Sequence, residues 1–411
     1  MTEPYALIVA GGGPAGLFCA IQVAESGKRV LVLEKMANFS RKLLISGSGQ
    51  CNITHDGEIK SFLMHYGDNS QFLKPSLMNF QNVDLIRYFT ERNVPLMTEI
   101  GGKVFPASRK SSDLLSVLLN EMASAGVEAR TSESVGDIKK TDTGFLVITD
   151  KGRYEGRTVL IATGGYTYPS TGSTGDGYEF AKNLGHRIVE PGPALTSVFI
   201  QNYPFVELAG LSFADLTISL FREGKKVRQH TGDLLFTHTG LSGPGILDFS
   251  RFIRTGDILR ISFLPGIDPV KVKNLLVERI ASSGSRQVKT VLASFDLPER
   301  FIRALLDMCN IHQDHPAAHL SKKDRAALIE LITACPFTVS KLGGEQEAMV
   351  SRGGIDLSEV NSKTMESRLV AGLFFAGEVL DIDGDTGGYN LQAAFSTGFL
   401  AAKKIREVSG L

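Results

Sequence analysis

Residues 11–16 read Gly-Gly-Gly-Pro-Ala-Gly directly after the apolar run Tyr5–Ala10, and a second apolar run at 29–33 ends at the acid Glu34. This order constrains the fold more than any other feature. It is the pattern of a dinucleotide-binding βαβ unit. Gly11 supplies the tight turn, Gly13 the close backbone approach to a pyrophosphate, and Gly16 the close packing of helix on strand. Pro14 and Ala15 open the helix, whose free N–H groups face the anion. Leu17, Ile21 and Ala24 give the helix its apolar face, and Gly27 is the expected stop. Glu34, eighteen residues past Gly16, is placed to accept from a ribose hydroxyl, with Lys35 beside it on the cofactor side.

The chain has 411 residues, which is long for one simple core and predicts two or three domains. Lys plus Arg and Asp plus Glu both number 44, so no whole-chain field favours nucleic acid or an anionic membrane. The four cysteines, Cys19, Cys51, Cys309 and Cys335, show neither C-x-x-C nor zinc spacing. They point to a reducing compartment rather than a disulfide framework. With no signal peptide and no bilayer-length apolar run in the sequence, a cytoplasmic protein is expected.

Three expected segments follow. Residues 1–190 and 341–411 form a discontinuous Rossmann-like α/β domain completed by the C-terminus. Short alternating runs such as 216–221 and 258–263 predict an antiparallel β insert over 191–267, a small barrel or sandwich. A helical insert follows over 268–340: Asp268-Pro269 starts one helix, Pro298 another, and Ser321 with Asp324 forms a capping box before a helix ended by Pro336. A last helix is expected over about 391–406.

The second chemical signal lies at 372–392. A buried strand ends in Ala376-Gly377-Glu378, placing an acid beside a close backbone approach, suited to a ribityl or ribose hydroxyl. Gly387-Gly388-Tyr389-Asn390 then opens a helix whose positive end suits the N1/O2 edge of a flavin, or else is a capped glycine-rich loop. The third signal, residues 40–52, offers Lys42, Ser46, Gly49, Cys51 and Asn52 to the polar edge of a flat ligand. Cys51 reads either as a redox thiol or as a small buried residue. Ala162, Thr163 and Gly164 are expected to close over the dinucleotide. The glycine-rich run at 170–177 lacks a Walker ending, which argues against an ATPase. On the insert, His238 within the loop 232–245 is either a proton donor or a structural histidine. His312, His315 and His319 do not form a metal pattern, and no metal is expected. No second strand-linked G-x-G-x-x-G is present, so NAD(P)H is expected only as a transient visitor.

With these motifs the chain resembles the bacterial BaiN/YhiN-like FAD-dependent flavoproteins of the glutathione-reductase-type superfamily. The matching segments are 11–16, 42–52, 162–165, 235–244, 377–381 and 387–392, nearly spanning the chain, and 364–367 is similar to the family's approach to its last strand. The resemblance implies FAD as the nucleotide and an insert covering the flavin. It adds Asp381 and Leu391 to the cofactor residues, and a backbone contact at Val135 to the adenine. It also exposes a departure: the family pattern has arginine where this chain has Gln50. Members of that family include reductases of conjugated double bonds, amine oxidases and an enzyme reducing uridine in ribosomal RNA, so the fold identifies cofactor rather than substrate.

The expected activity is therefore FAD-dependent reduction of an electron-poor double bond in a small molecule, with flavin re-reduced by NAD(P)H. The alternatives are an amine-type oxidase using oxygen, and a flavoprotein docking on ribosomal RNA through the helical insert. Over 270–330 ten Lys/Arg stand against seven Asp/Glu, an excess that a solvated surface also explains.

Overall fold

The computed structural model describes residues 3–266 and 269–408. The chain divides into two units, Met1–Ala194 with Ala348–Leu411, and Leu195–Glu347. The expected cap at Asp268 lies outside the described residues.

The first unit is built on a seven-stranded sheet. Strands Glu128–Arg130, Val30–Leu33, Tyr5–Ala10 and Arg153–Ile161 run parallel in that order. Leu7, Ile8, Val9, Leu31 and Val32 are fully buried, as a parallel sheet covered on both faces requires. The long strand Arg153–Ile161 changes partner midway. Its first half pairs antiparallel with Phe145–Thr149, and its second half takes Leu373–Phe375 in parallel. The C-terminal segment thus completes the sheet opened by the N-terminus.

The helix Pro14–Ala24 packs on the closing helix Tyr389–Val408 through small residues. A β-carbon on Gly398 would stand 2.6 Å from the Ala15 carbonyl oxygen, so the two backbones nearly touch. Phe18, Phe80, Phe395 and Phe399 fill the groove beside this crossing. Deeper in, Thr54 Oγ1 donates to Gln392 Oε1 at 2.6 Å, and Gln392 Nε2 donates to the Phe80 carbonyl and Ser396 Oγ. A fully buried glutamine thereby ties the small sheet of Thr54–His55, Lys103–Pro106 and Leu96–Thr98 to the closing helix.

The second unit is a closed six-stranded antiparallel barrel, with strands in the order Val198–Ile200, Gly240–Ser242, Lys225–Phe236, Ser212–Arg222, Ile258–Ser262 and Cys335–Leu342. The pairing of Val198–Ile200 with Cys335–Leu342 closes the ring and resolves the choice between barrel and sandwich, with Leu216, Ile218, Leu220, Leu259, Ile261, Phe337 and Val339 all buried. The helices Pro269–Ala281, Val288–Ala293, Glu299–Met308 and Lys322–Ala334 leave the barrel after Ile258–Ser262 and return into Cys335–Leu342. Leu276, Ile280, Leu328 and Ile332 share one buried cluster with the barrel strands. The sequence-based boundary at 267/268 therefore falls inside this unit, because the last barrel strand arrives only after the helices. Ser321 caps the helix as expected, accepting from Asp324 N at 3.0 Å. Among the described residues no helix is long and apolar enough to cross a membrane, and no His/Cys/Asp/Glu group is arranged to hold a metal.

Candidate functional site

The dinucleotide turn occupies the C-terminal end of the strand Tyr5–Ala10. Gly11 has φ +108°, and a β-carbon there would stand 2.5 Å from the Ala162 carbonyl oxygen, so the fold itself demands glycine. Gly13 is different. Its φ is −81°, and a β-carbon would find no atom nearer than the Ala162 oxygen at 4.0 Å. What Gly13 keeps clear is space in front of the helix N-terminus, where no side chain caps the backbone. Pro14 sits in the first turn and the buried Ala15 and Gly16 follow.

Glu34 shapes the same turn, its two carboxylate oxygens accepting from Gly12 N and Met36 N at 2.8 Å each. Each oxygen keeps a second lone pair for a hydroxyl. The chain beside it is the segment leading to Val135: Ser132 N donates to the Met36 carbonyl and Glu133 N to that of Glu34. Val135 is half-buried and opens the strand Val135–Lys140. Lys35, in contrast, is held by Asp176 Oδ2 at 2.6 Å and by Thr174 Oγ1, so its ammonium is already paired.

Ala162, whose N donates to the Ala10 carbonyl, carries the chain out of the sheet beside Gly11. Thr163 Oγ1 is buried there without a protein partner, and Gly164 follows. Around them lies a polar knot. Lys42 Nζ reaches both Glu378 oxygens and Thr167 Oγ1 at 2.9 Å, and Ser351 N donates to Glu378 at 2.8 Å. The Lys42 and Glu378 side chains are 24% and 20% exposed, so neither charge is well hydrated alone. Lys42→Met is expected to cost about 2 kcal/mol of stability, below the figure for a fully buried pair because water reaches both groups. Urea unfolding measures it, and Lys42→Met with Glu378→Gln is expected to lose less than the two single changes summed.

The segment 40–52 is backbone-strained: Ser40, Ser48 and Cys51 all have positive φ, of +51°, +55° and +58°. Such conformations persist where surrounding structure enforces them, commonly at ligand sites. Cys51 is fully buried and burial pushes its thiol up to about 12. A redox thiol needs exposure and a depressed pKa, the opposite of the surroundings of Cys51. Gly49 lies just before it, and Asn52 Oδ1 is buried without a protein partner. Gln50, standing at the family's arginine position, accepts from Arg109 Nη1 at 3.2 Å, while Glu99 holds Nη2 at 2.5 Å. A guanidinium is thus present beside position 50 after all, supplied from another loop.

The closing helix meets this segment head-on. A β-carbon on Gly388 would stand 2.5 Å from the Thr54 carbonyl, with φ at +94°. Tyr389 stacks between His65, at 4.1 Å between ring centroids, and His55, at 5.2 Å. Gly387 lies against Tyr389 and His55, and Leu391 is half-buried. The Asn390 amide bonds Gly384 in both directions at 2.8 Å, so this side chain braces the preceding loop. Asp381 is likewise engaged, accepting from Asn69 Nδ2 at 3.1 Å, and burial raises its carboxyl above the usual range. Gly377 N donates to Thr397 Oγ1 at 3.0 Å. His238 belongs to the second unit, exposed in the turn after Lys225–Phe236.

Sequence reasoning missed Thr167, Ser351, His55 and His65, and gave Asp385, within the 372–392 motif, no role. Gln392 was visible as a motif member, but the others reach the site only through contacts of long sequence separation.

The arrangement fits FAD. A kept-clear space fronts the helix at Gly13, an acid with spare lone pairs stands at Glu34, and two buried polar atoms, on Asn52 and Thr163, lack protein partners. Groups left this way are costly unless a ligand satisfies them.

Comparison with known proteins agrees. The family model described as the HI0933-like protein Rossmann domain matches residues 5–404. The 3-dehydro-bile acid delta(4,6)-reductase of Clostridium scindens is 30% identical over 97% of this chain and 98% of its own. The ribosomal RNA dihydrouridine synthase of Haemophilus influenzae is also 30% identical, over 97% and 98%. Among solved structures, apo Mycobacterium smegmatis Sdh1 shares the fold at TM-score 0.52 and 15% identity, over 99% of this chain and 69% of that one. The chain belongs to the HI0933-like family and is an FAD-dependent oxidoreductase.

Proposed function

We propose that this protein reduces a carbon–carbon double bond conjugated to a carbonyl in a small molecule, with NAD(P)H visiting transiently to reduce the flavin. The observation that carries the reading is the start of the 20-residue closing helix at Tyr389. It is set against Thr54, two residues beyond the unpartnered Asn52 oxygen. A ring edge that becomes electron-rich on reduction is stabilised there by the helix end, by up to ~2 kcal/mol where partly buried. The two relatives support the same bond type. One is named for reducing a bile acid double bond, and the product named for the other is uridine with its ring double bond saturated.

When bound, FAD supplies hydride chemistry. The chain's residues do the rest. The turn at Gly11, Gly13 and Gly16 receives the pyrophosphate. Glu34 accepts from the adenosine ribose, and the backbone at Val135 borders the adenine. Asn52, Gly387 and Gly388 orient the reacting ring, and Thr163 and the Lys42–Glu378 pair line the ribityl region.

The test is anaerobic. Purified protein is reduced with NADH or NADPH and mixed with a 3-oxo-4,6-diene bile acid or with uridine-containing ribosomal RNA, and return of the oxidised flavin's absorbance is followed. Prompt return with the bile acid supports the reading. Return only with the RNA moves the substrate class to RNA, which the ten-to-seven basic excess over 270–330 would then serve. Rapid peroxide formation with an amine makes it an oxidase. A colourless protein that takes up no flavin overturns the cofactor.

A further inference from the structure

The geometry points to His65, oriented by Asp385, as the group that delivers the proton in this reduction, an assignment that rests on the function proposed above. Saturating a conjugated double bond takes one hydride and one proton. The hydride and both electrons come from reduced FAD, which is oxidised as the substrate is reduced. The proton must come from an acid within reach of the α-carbon.

Three histidines stand in or near the motifs of this chemistry, and their surroundings separate them. The His238 ring lies exposed in a turn of the second unit. The His55 ring is engaged at both nitrogens, each 2.8 Å from a carbonyl oxygen, of Asp56 and of Gly101. His65 alone has one nitrogen held and one available. Its Nδ1 stands 2.9 Å from Asp385 Oδ2, and among the described residues no protein group bonds its Nε2. The side chain is 33% exposed, so water reaches it. A carboxylate on Nδ1 fixes the tautomer and ring orientation, as in other carboxylate–histidine pairs.

The ring is also fixed in position at the right element. It lies 4.1 Å from Tyr389 and within 12° of parallel, and Tyr389 is the first residue of the closing helix, next to Gly387 and Gly388. Buried Tyr66, whose hydroxyl burial pushes well above its usual value, keeps its proton and donates it to the Tyr389 carbonyl at 2.8 Å. Asp385 N donates to the His65 carbonyl at 2.8 Å, so the pair is clamped by backbone as well as side chain. A rigid ring with a free nitrogen therefore sits where the reacting edge of the cofactor is proposed to rest.

The step balances. As the β-carbon takes hydride, the π pair moves onto the α-carbon and carbonyl. The Nε2–H bond of the His65 imidazolium breaks, a C–H bond forms at the α-carbon, and the neutral imidazole is recharged from water.

The test uses the full-length holoenzyme with His65→Gln, His65→Gly and Asp385→Asn. FAD content and flavin reduction by NAD(P)H are expected to stay as in the wild type. Reoxidation of the reduced enzyme by whichever acceptor serves the wild type, bile acid or RNA, is expected to slow about 100-fold in His65→Gln. It slows by a smaller factor in Asp385→Asn, and added imidazole restores it in His65→Gly. In D2O the wild type places deuterium on one face of the α-carbon, and His65→Gln on both. Independently of turnover, the 15N resonance of His65 Nδ1 shifts in Asp385→Asn. Wild-type-like reoxidation and one-faced deuteration in His65→Gln, with FAD bound, overturn the assignment and leave the reductase reading intact. An unmoved Nδ1 resonance overturns the role of Asp385. A wild type whose reduced flavin neither acceptor oxidises overturns both readings together.

Discussion

Gly13→Val is expected to leave the protein folded and to weaken FAD binding roughly a thousand-fold, equivalent to about 4 kcal/mol. The two effects separate because of what surrounds the position. Its φ of −81° and ψ of 176° are open to any residue and favourable for a β-branched one. No protein atom lies nearer a β-carbon than 4.0 Å, so the apo protein has no reason to unfold. Only the ligand is displaced: the valine methyls occupy the space through which a pyrophosphate reaches the uncapped N–H groups of the helix Pro14–Ala24. Charge-assisted bonds of that kind are worth roughly 1.5–3 kcal/mol each, and losing two of them gives the stated size. Flavin titration of the apoprotein, beside its thermal unfolding, checks both halves. Undiminished FAD affinity would mean that the cofactor's phosphates lie elsewhere.

The glycine turn was legible in the sequence because its chemistry is local: strand, turn, helix and acid lie within about thirty residues of one another, and each constrains its neighbours. The closing segment was legible for the same reason, although the helix begins at Tyr389, two residues before its expected start. What was not legible comes from long-range contact. Lys42 and Glu378 are 336 residues apart and meet only because the last strand, Leu373–Phe375, adds beside Arg153–Ile161. His55 and His65 carry no motif, and their relation to Tyr389 exists only once the short sheet and the closing helix are assembled. The barrel shows the converse. Its inward alternation was plain in each strand, but its closure required Cys335–Leu342, which stands behind four helices and so looked like the end of another domain. Asn390 and Asp381 illustrate a further limit. Spacing places a polar residue near a ligand, but whether its side chain faces the ligand or braces its own loop depends on neighbours such as Gly384 and Asn69.

Gly388→Ala is expected to lower stability by about 4 kcal/mol and the thermal midpoint by roughly 10 °C. The left-handed backbone at +94° accounts for about 1 kcal/mol of this. The rest is steric and has no inexpensive relief. The new methyl would stand 2.5 Å from the carbonyl carbon and oxygen of Thr54, and those atoms are backbone rather than the end of a flexible side chain. Thr54 cannot retreat, because it pairs with Val104 in the small sheet and its hydroxyl donates to the buried Gln392. Gly388 cannot retreat either, since its carbonyl accepts from Gln392 N in the first turn of the closing helix. Trimming the facing side chain in Gly388→Ala with Thr54→Gly is therefore expected to restore nothing, whereas a side-chain clash would be relieved. Gly57→Ala is the control. Its φ of +97° carries the same backbone strain, but nothing lies within 4 Å of its β-carbon, so it should cost about 1 kcal/mol. Thermal unfolding of the apo forms by circular dichroism separates the two. Equal losses at positions 57 and 388 would show that backbone strain alone, and not contact with Thr54, sets the requirement for glycine at the helix start.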